Sequence, residues 1–407
     1  MPPGFYFLIG AQFASGLADN ALLIVTMRFL QEQGQPAWWA PLLKFSFNLA
    51  YVLLAPFMGP LADAVPKPRL MAWMNALKVM GVLCLLIGAH PLLAFGVIGL
   101  AAAAYAPAKY GLVTESVPAA QLVRANGWLE VSVVGSVILG TALGGVLVGQ
   151  AMDLAWDAPA WPWASGLVRT DLWLAFGAVV GVYAMAAGLN AGIRRPPGGG
   201  VRLPLQWRHV AWSSFLDHHQ RLWRDRLGGY SLYITTLYWG VGAVMQFVVL
   251  AWAQSQLGLG LAQGAYLQAM VAFGVMVGAA LAGRFVRLYR VRRVVPFGLL
   301  LALLLPTLAW VHSLWLAVTL LTLAGVLGGL LLVPMNALLQ HRGARVLSAG
   351  RSVAVQGFNE NASVLVMLAL YSASVSLDIP LWAILLGLSA VLTVGLRPDR
   401  LRWAKRS

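Results

Sequence analysis

Two pentapeptides decide how this chain is read: Asn126-Gly127-Trp128-Leu129-Glu130 and, 230 residues later, Gln356-Gly357-Phe358-Asn359-Glu360. Each opens a long apolar run, and each reads amide, glycine, aromatic, any residue, glutamate. Just upstream lies a second matched pair, Ala106-Pro107-Ala108-Lys109 and, at an offset of 227, Val333-Pro334-Met335-Asn336. Either match alone is weak. Near-equal offsets at corresponding runs imply a duplicated unit.

The rest of the chain fits a duplicated membrane protein. It has 407 residues, 60% hydrophobic and 10% charged, with a mean hydropathy of +0.77; soluble domains carry about 25% charged residues. Twelve apolar runs approach the ~20 residues needed to span a bilayer, at roughly 5–30, 40–62, 70–90, 92–113, 126–149, 171–193, 229–254, 264–284, 294–311, 314–339, 352–374 and 380–396. No alternating ten-residue pattern of a membrane barrel is present. The expected fold class is an all-α polytopic membrane protein with 12 transmembrane helices in two six-helix bundles. Span one follows Met1 without a basic leader and outruns a signal peptide, so it reads as a retained helix. The lone cysteine, Cys84, excludes an intrachain disulfide framework.

A net charge of +15 would suggest nucleic acid in a soluble protein. Its distribution points elsewhere. Lys67 and Arg69 follow span two, and Arg124 follows span four. Arg194 to Arg226 follow span six, Arg284 to Arg293 span eight, and Arg342 to Arg351 span ten; Arg397 to Arg406 form the tail. The opposite loops hold only Arg169, beside Asp153, Asp157 and Asp171, while Arg28 and Lys44 close the outer ends of spans one and two. This is the positive-inside pattern, and it expects both termini in the cytoplasm. The basic loops can also hold anionic membrane lipids, although topology alone accounts for them. The longest polar interruption, 194–228, opens with the breaker-rich Arg194-Arg195-Pro196-Pro197-Gly198-Gly199-Gly200 and continues into an Arg/Trp-rich stretch with amphipathic character. The expected domains are therefore a six-helix bundle over 1–193, a cytoplasmic linker over 194–228, a second bundle over 229–396 and a basic tail over 397–407.

Charges inside apolar runs mark the candidate site, because a charge at the bilayer centre costs about 2.5–3.5 kcal/mol and usually faces a cavity or a partner. Span one places Gln12, Ser15, Asp19 and Thr26 on one stripe, with Asn20 beside Asp19. Lys78 follows Asn75 in span three. In span four Tyr105 and Lys109 lie four residues apart, on one face, and Pro107 between them bends the helix. This lysine can hold a phosphate as a point charge or pair with Glu130 or Asp19. Asn126 and Glu130 in span five, and Gln356 and Glu360 in span eleven, form the repeat-related stripes. Both lie near span ends, where a gate with Arg124 and Arg351 competes with ligand contact. No enzyme constellation is present. Asp217-His218-His219 lacks partners at metal-ligand spacing, and no G-x-x-x-x-G-K-[ST] loop occurs. Neither cofactor nor metal is expected, and transport would not hydrolyse ATP.

Duplicated parallel six-helix repeats are the architecture of the major facilitator superfamily, and Gly59-Pro60-Leu61-Ala62-Asp63-Ala64-Val65-Pro66-Lys67-Pro68-Arg69 resembles that superfamily's loop signature. The resemblance implies a gating role for Asp63 and Arg69, with Ala64 and Pro66 departing from the usual Arg and Gly. More narrowly, Ala11-Gln12-Phe13 with Asp19-Asn20-Ala21-Leu22-Leu23, the run Ala102 to Gly111, Val123-Arg124-Ala125-Asn126-Gly127, and Glu360-Asn361 resemble the bacterial lysophospholipid transporter branch. That resemblance implies flipping of lysophosphatidylethanolamine and related lysolipids across the inner membrane, outer to inner leaflet, with a partner acyltransferase/acyl-carrier-protein synthetase re-acylating them. The charges themselves suit that substrate, with Lys109 expected to take the phosphate and Asp19, with Glu130, the ammonium. Where that family carries a basic residue in span seven, this chain has Gln246. The competing expectations are a proton-coupled exporter of drugs or small metabolites, with Asp19 and Glu360 as proton carriers, and a membrane-bound acyltransferase.

Overall fold

The computed structural model describes residues 1–34, 39–153, 170–193, 212–259 and 261–396. The opening of the linker to residue 211, the loop holding Asp157 and Arg169, and the tail from Arg397 lie outside the described residues. The described residues form thirteen α-helices and a few short 3-10 turns, with no strand among them. The first half contributes α1 (Pro3–Glu32), α2 (Trp39–Ala64), α3 (Lys67–Leu86), α4 (Pro91–Ser116), α5 (Leu122–Asp153) and α6 (Thr170–Ala191). A short α7 (Trp212–Arg224) precedes α8 (Arg226–Leu257), α9 (Leu261–Phe285), α10 (Val295–Thr307), α11 (Leu314–Val346), α12 (Ala349–Ser376) and α13 (Leu381–Gly395).

Among the described residues, eleven helical stretches are long and apolar enough to cross a membrane, and α13 is a shorter apolar helix of 15 residues; twelve spans are consistent with this set. The ninth stretch is not one uniform helix. Its ends, Leu288–Val294 and Leu308–Trp310, tighten into 3-10 turns around α10, next to Pro296, which lacks an N–H, and Pro306. Large apolar side chains such as Leu93 (70% exposed) and Trp315 (82%) point outward, as expected where lipid replaces water as the surrounding solvent.

The chain divides into two compact units: Met1–Ser116 with Gly135–Trp212, and Val117–Val134 with Ser213–Ser407. The cut passes through the unbroken helix α5, whose first turns group with the second unit. In the first unit α1 packs on α6, α2 on α4, and α3 on both α4 and α6. Its apolar core gathers Leu22, Val25, Phe29, Val82, Phe95 and Phe176. In the second unit α9 packs on α11, α8 on α11 and α12, and α10 on α13, around Val248, Trp252, Leu305, Leu321 and Leu388. Apolar burial does little to join helices in lipid, so their backbones must approach closely for van der Waals contact, which favours small residues. On α9, a Cβ at Gly274 or Gly278 would collide with the carbonyl oxygen of Thr322 or Val326 on α11, and a Cβ at Gly325 or Gly329 with those of Val271 or Val275. The later part of α5 meets α1 in the same way. There a Cβ at Gly140 would stand 2.5 Å from Leu17 O, and one at Gly144 2.9 Å from Ala21 O.

The linker ends in α7, which lies on the second unit. Phe215 and Leu222 are buried, and the Phe215 ring meets Phe358 edge-on at 5.2 Å. His219 Nε2 is 3.2 Å from Asn359 Oδ1. Asp225 then caps α8, accepting from the Gly228 N–H at 2.8 Å, and pairs with Arg342 of α11 at 2.6 Å and 3.1 Å. Burial pushes the Asp225 carboxyl up, but the Arg342 hydrogen bonds and the Gly228 N–H outweigh it and hold the carboxyl below its ordinary 3.8.

Two outcomes follow from this packing. Gly278→Ala overpacks the α9–α11 contact, at a cost of about 1–3 kcal/mol, and lowers both the thermal midpoint and the yield of monodisperse protein. Gly181→Ala, with nothing within 4 Å of the added carbon, leaves both unchanged. The Asp225 pair contributes stability above the ordinary aspartate range and loses it as acid protonates the carboxylate. The fall in thermal midpoint below about pH 4 is therefore shallower in Asp225→Asn than in the parent protein.

Candidate functional site

The first unit holds a charged cluster built from four helices. Lys78 of α3 donates to both carboxylate oxygens of Asp19 on α1, at 2.8 Å and 2.7 Å, and to Ser15 Oγ, one turn earlier, at 3.0 Å. Ser15 donates onward to Asn75 Oδ1 at 2.8 Å, and the Tyr183 hydroxyl of α6 donates to Asp19 Oδ1 at 2.6 Å. The ammonium also lies over two rings, 5.4 Å from the centroid of Tyr105 on α4 and 5.5 Å from that of Tyr183. The helical repeat explains the geometry, since Ser15 and Asp19 are one turn apart on α1, as are Asn75 and Lys78 on α3. The pair is unequally sealed: the Lys78 side chain is 2% exposed and that of Asp19 is 23% exposed. An ion pair inside a helical unit stays charged only when its hydrogen-bonding capacity is met, and here Ser15 and Tyr183 help meet it.

Of the two carboxylates weighed as partners for Lys109, Asp19 is held by Lys78 instead. Lys109 is buried on α4, with its ammonium 4.4 Å from the centroid of the Tyr110 ring. Asn20 turns back along α1 and donates to Gly16 O at 2.8 Å. Near the turn between α2 and α3, Asp63 is buried and Arg69 exposed, while Lys67 pairs with Glu115 at the end of α4, at 2.6 Å.

The repeat-related stripes fall in the second unit. Gln356 donates to Asn336 Oδ1 at 2.9 Å and to Glu360 Oε1 at 2.8 Å, so the repeat counterpart of Lys109 is a neutral amide tied to the counterpart of Asn126. Asn126 itself exchanges two hydrogen bonds with Gln340 of α11, at 2.9 Å and 2.8 Å. Beside it, a Cβ at Gly127 would lie 2.7 Å from Ala279 O, so this part of α5 lies flush on α9. Glu130 is buried within electrostatic range of Tyr238. Arg124 is exposed, and the Arg351 N–H is capped by Ser348 at 3.4 Å. On α8 the side chain of Gln246 is exposed, and its backbone carbonyl accepts from Gln268. Among the described residues, no group of three or more His, Cys, Asp or Glu could hold a metal ion.

Sequence reasoning missed Tyr183, Asn190 and Gln340. Asn190 is the sole amide of α6, seven residues beyond Tyr183, and Gln340 follows Asn336 by one turn. Each signal is a sparse polar position in a largely apolar helix, legible only once its facing helix is known.

The family model of the Major Facilitator Superfamily matches residues 8–359. Two relatives named lysophospholipid transporter LplT match nearly end to end. The one from Yersinia enterocolitica is 39% identical over 93% of this chain and 89% of its own length. The one from Escherichia coli is 38% identical over 97% and 94%. Among solved structures, the transporter FucP in its outward conformation superposes with a TM-score of 0.75 at 14% identity, covering 99% of each chain. A bacterial homologue of the iron transporter ferroportin gives 0.71 at 15% identity over 100% of each. These two speak for the fold alone. With its helical units, its matched loop signature and these near-complete alignments, the chain belongs to the Major Facilitator Superfamily, in the same family as the Yersinia and Escherichia relatives.

Proposed function

We propose that this protein moves lysophospholipids, chiefly lysophosphatidylethanolamine, from the outer to the inner leaflet of a bacterial inner membrane by alternating access, without ATP hydrolysis. The observation that carries the reading is the 38–39% identity, over nearly the whole chain, to relatives named lysophospholipid transporter. It favours this reading over the proton-coupled exporter.

The chemistry of the charged residues supports it. A lysolipid with an ethanolamine head presents a phosphate, an ammonium and one tail. Asp19, the more accessible member of its ion pair, takes the ammonium, with Asn20 next to it in sequence. Lys109, one turn beyond Tyr105, takes the phosphate as a compact cation. Lys78 holds Asp19 oriented. Gln246 supplies no charge for a second phosphate contact, and Asn336, Gln356 and Glu360 form a neutral-to-acidic counterpart, so headgroup recognition rests on the first half. The tail remains in an apolar cleft or in lipid, where no desolvation is needed.

Gating falls to the span ends. Asn126 with Gln340 forms an uncharged latch that exchanges its hydrogen bonds with water at low net cost; Asp63, Arg69, Arg124 and Arg351 flank the basic loops. With both termini in the cytoplasm, the lipid arrives where an acyltransferase/acyl-carrier-protein synthetase can re-acylate it.

The test is headgroup transfer of labelled lysophosphatidylethanolamine in proteoliposomes carrying matched amounts of inserted protein. Asp19→Ala and Lys109→Ala each lower the rate about tenfold or more, the loss of one charged hydrogen-bond partner. Normal rates in both variants reject these assignments.

A further inference from the structure

Lys78 sits in a cage that fits any primary ammonium. Its three donors meet two carboxylate oxygens and a hydroxyl, and two tyrosine faces flank it, as cation–π recognition requires. An ethanolamine headgroup would compete for the same partners. The exposures set the direction of that competition, because an incoming ammonium reaches Asp19 before it reaches the sealed Lys78.

Asn75, three residues before Lys78 and so about 4.5 Å along α3, belongs to a second set of polar groups. The Tyr105 hydroxyl stands beside the amides of Asn190 and Asn75. Asn190 and Asn75 are fully buried and Tyr105 is 4% exposed. Even so, although these groups face one another, the Tyr105 hydroxyl, both amide atoms of Asn190 and Asn75 Nδ2 meet no partner at full hydrogen-bond distance and angle among the described residues. Buried polar groups are nearly always paired, so so many orphans in one place need an explanation. Two of the atoms, Asn190 Oδ1 and the Tyr105 oxygen, can accept from an ammonium, and Lys78 already lies over the Tyr105 ring.

We propose that Lys78 is a two-position cation. It holds Asp19 in the arrangement seen here and shifts to Asn190 and Tyr105 when a headgroup ammonium takes Asp19. This rests on the lysophospholipid reading and deepens it. Asn190 becomes a specificity-determining residue, acting through Lys78, for headgroups that carry a primary ammonium. A headgroup with a phosphate and no ammonium, such as phosphoglycerol, leaves Lys78 on Asp19 and has no need of the second seat.

The experiment compares initial uptake of lysophosphatidylethanolamine and lysophosphatidylglycerol by the full-length protein in proteoliposomes. Asn190→Leu raises the ratio of KM for the ethanolamine lipid to KM for the glycerol lipid about tenfold, and Asn190→Gln, which keeps an acceptor, restores most of it. Tyr105→Phe keeps the ring and loses the hydroxyl; it raises the same ratio about threefold, and it decides the question should Asn190→Leu fail to insert. An unchanged ratio in the inserted variants overturns the two-position lysine, because a merely structural defect slows both lipids alike. Parent protein that moves neither lipid overturns the transport reading instead, and the two failures are told apart by the parent control.

Discussion

A cation among membrane-spanning helices is costly unless hydrogen-bond acceptors or a counter-charge meet it, and in the arrangement seen here Asp19 and Ser15 meet Lys78. The ion pair ties α1 to α3; Tyr183 brings α6 to the same carboxylate, and the faces of Tyr105 and Tyr183 brace the cation from α4 and α6. Four helices of the first unit are thereby registered on one charge pair. In lipid, where apolar contact between helices carries little preference for one register over another, such a contact fixes what greasy surfaces leave free. Removing either partner alone would strand the other, the costly case for an ion pair sealed from water.

Around that centre, close packing follows from glycine. Backbone approaches at Gly140 and Gly144 hold the later part of α5 to α1, and Gly274, Gly278, Gly325 and Gly329 hold α9 to α11. Gly127 does the same for the start of α5 against α9, where Asn126 and Gln340 add two reciprocal hydrogen bonds. These contacts are uncharged, and their strength comes from fit. The two halves share a pattern without sharing chemistry. At the position matched in sequence to Lys109 stands the neutral Asn336, bonded to Gln356.

Much of this was legible in the residues. Hydropathy located the helices, because a bilayer demands long apolar runs; the weak point, the run at 294–311, is where Pro296 and Pro306 interrupt the backbone and the ends tighten into 3-10 turns. The polar stripe Ser15, Asp19 with Asn75 and Lys78 was readable from helical spacing. The identity of Asp19's partner was not, since Lys78 and Lys109 are equally plausible cations until α3 is placed against α1. Tyr183, Asn190 and Gln340 escaped for the same reason. One or two polar positions in a long apolar helix do not say which neighbour they meet, and their meaning lies in the helix they face. Asp63 and the loop after α2 were recognisable as a motif, whereas the Lys67–Glu115 pair beside it joins positions 48 residues apart that no local pattern connects.

The central claim is that this frame moves a zwitterionic single-tailed lipid between leaflets without ATP. Leaflet-resolved uptake of labelled lysophosphatidylethanolamine by the purified protein in proteoliposomes, with and without an imposed proton gradient, tests it most directly. The account predicts protein-dependent transfer of the lipid with no nucleotide present and no steep dependence on the gradient. Absence of transfer under every condition, or transport that collapses without the gradient and extends to unrelated small molecules, would contradict it.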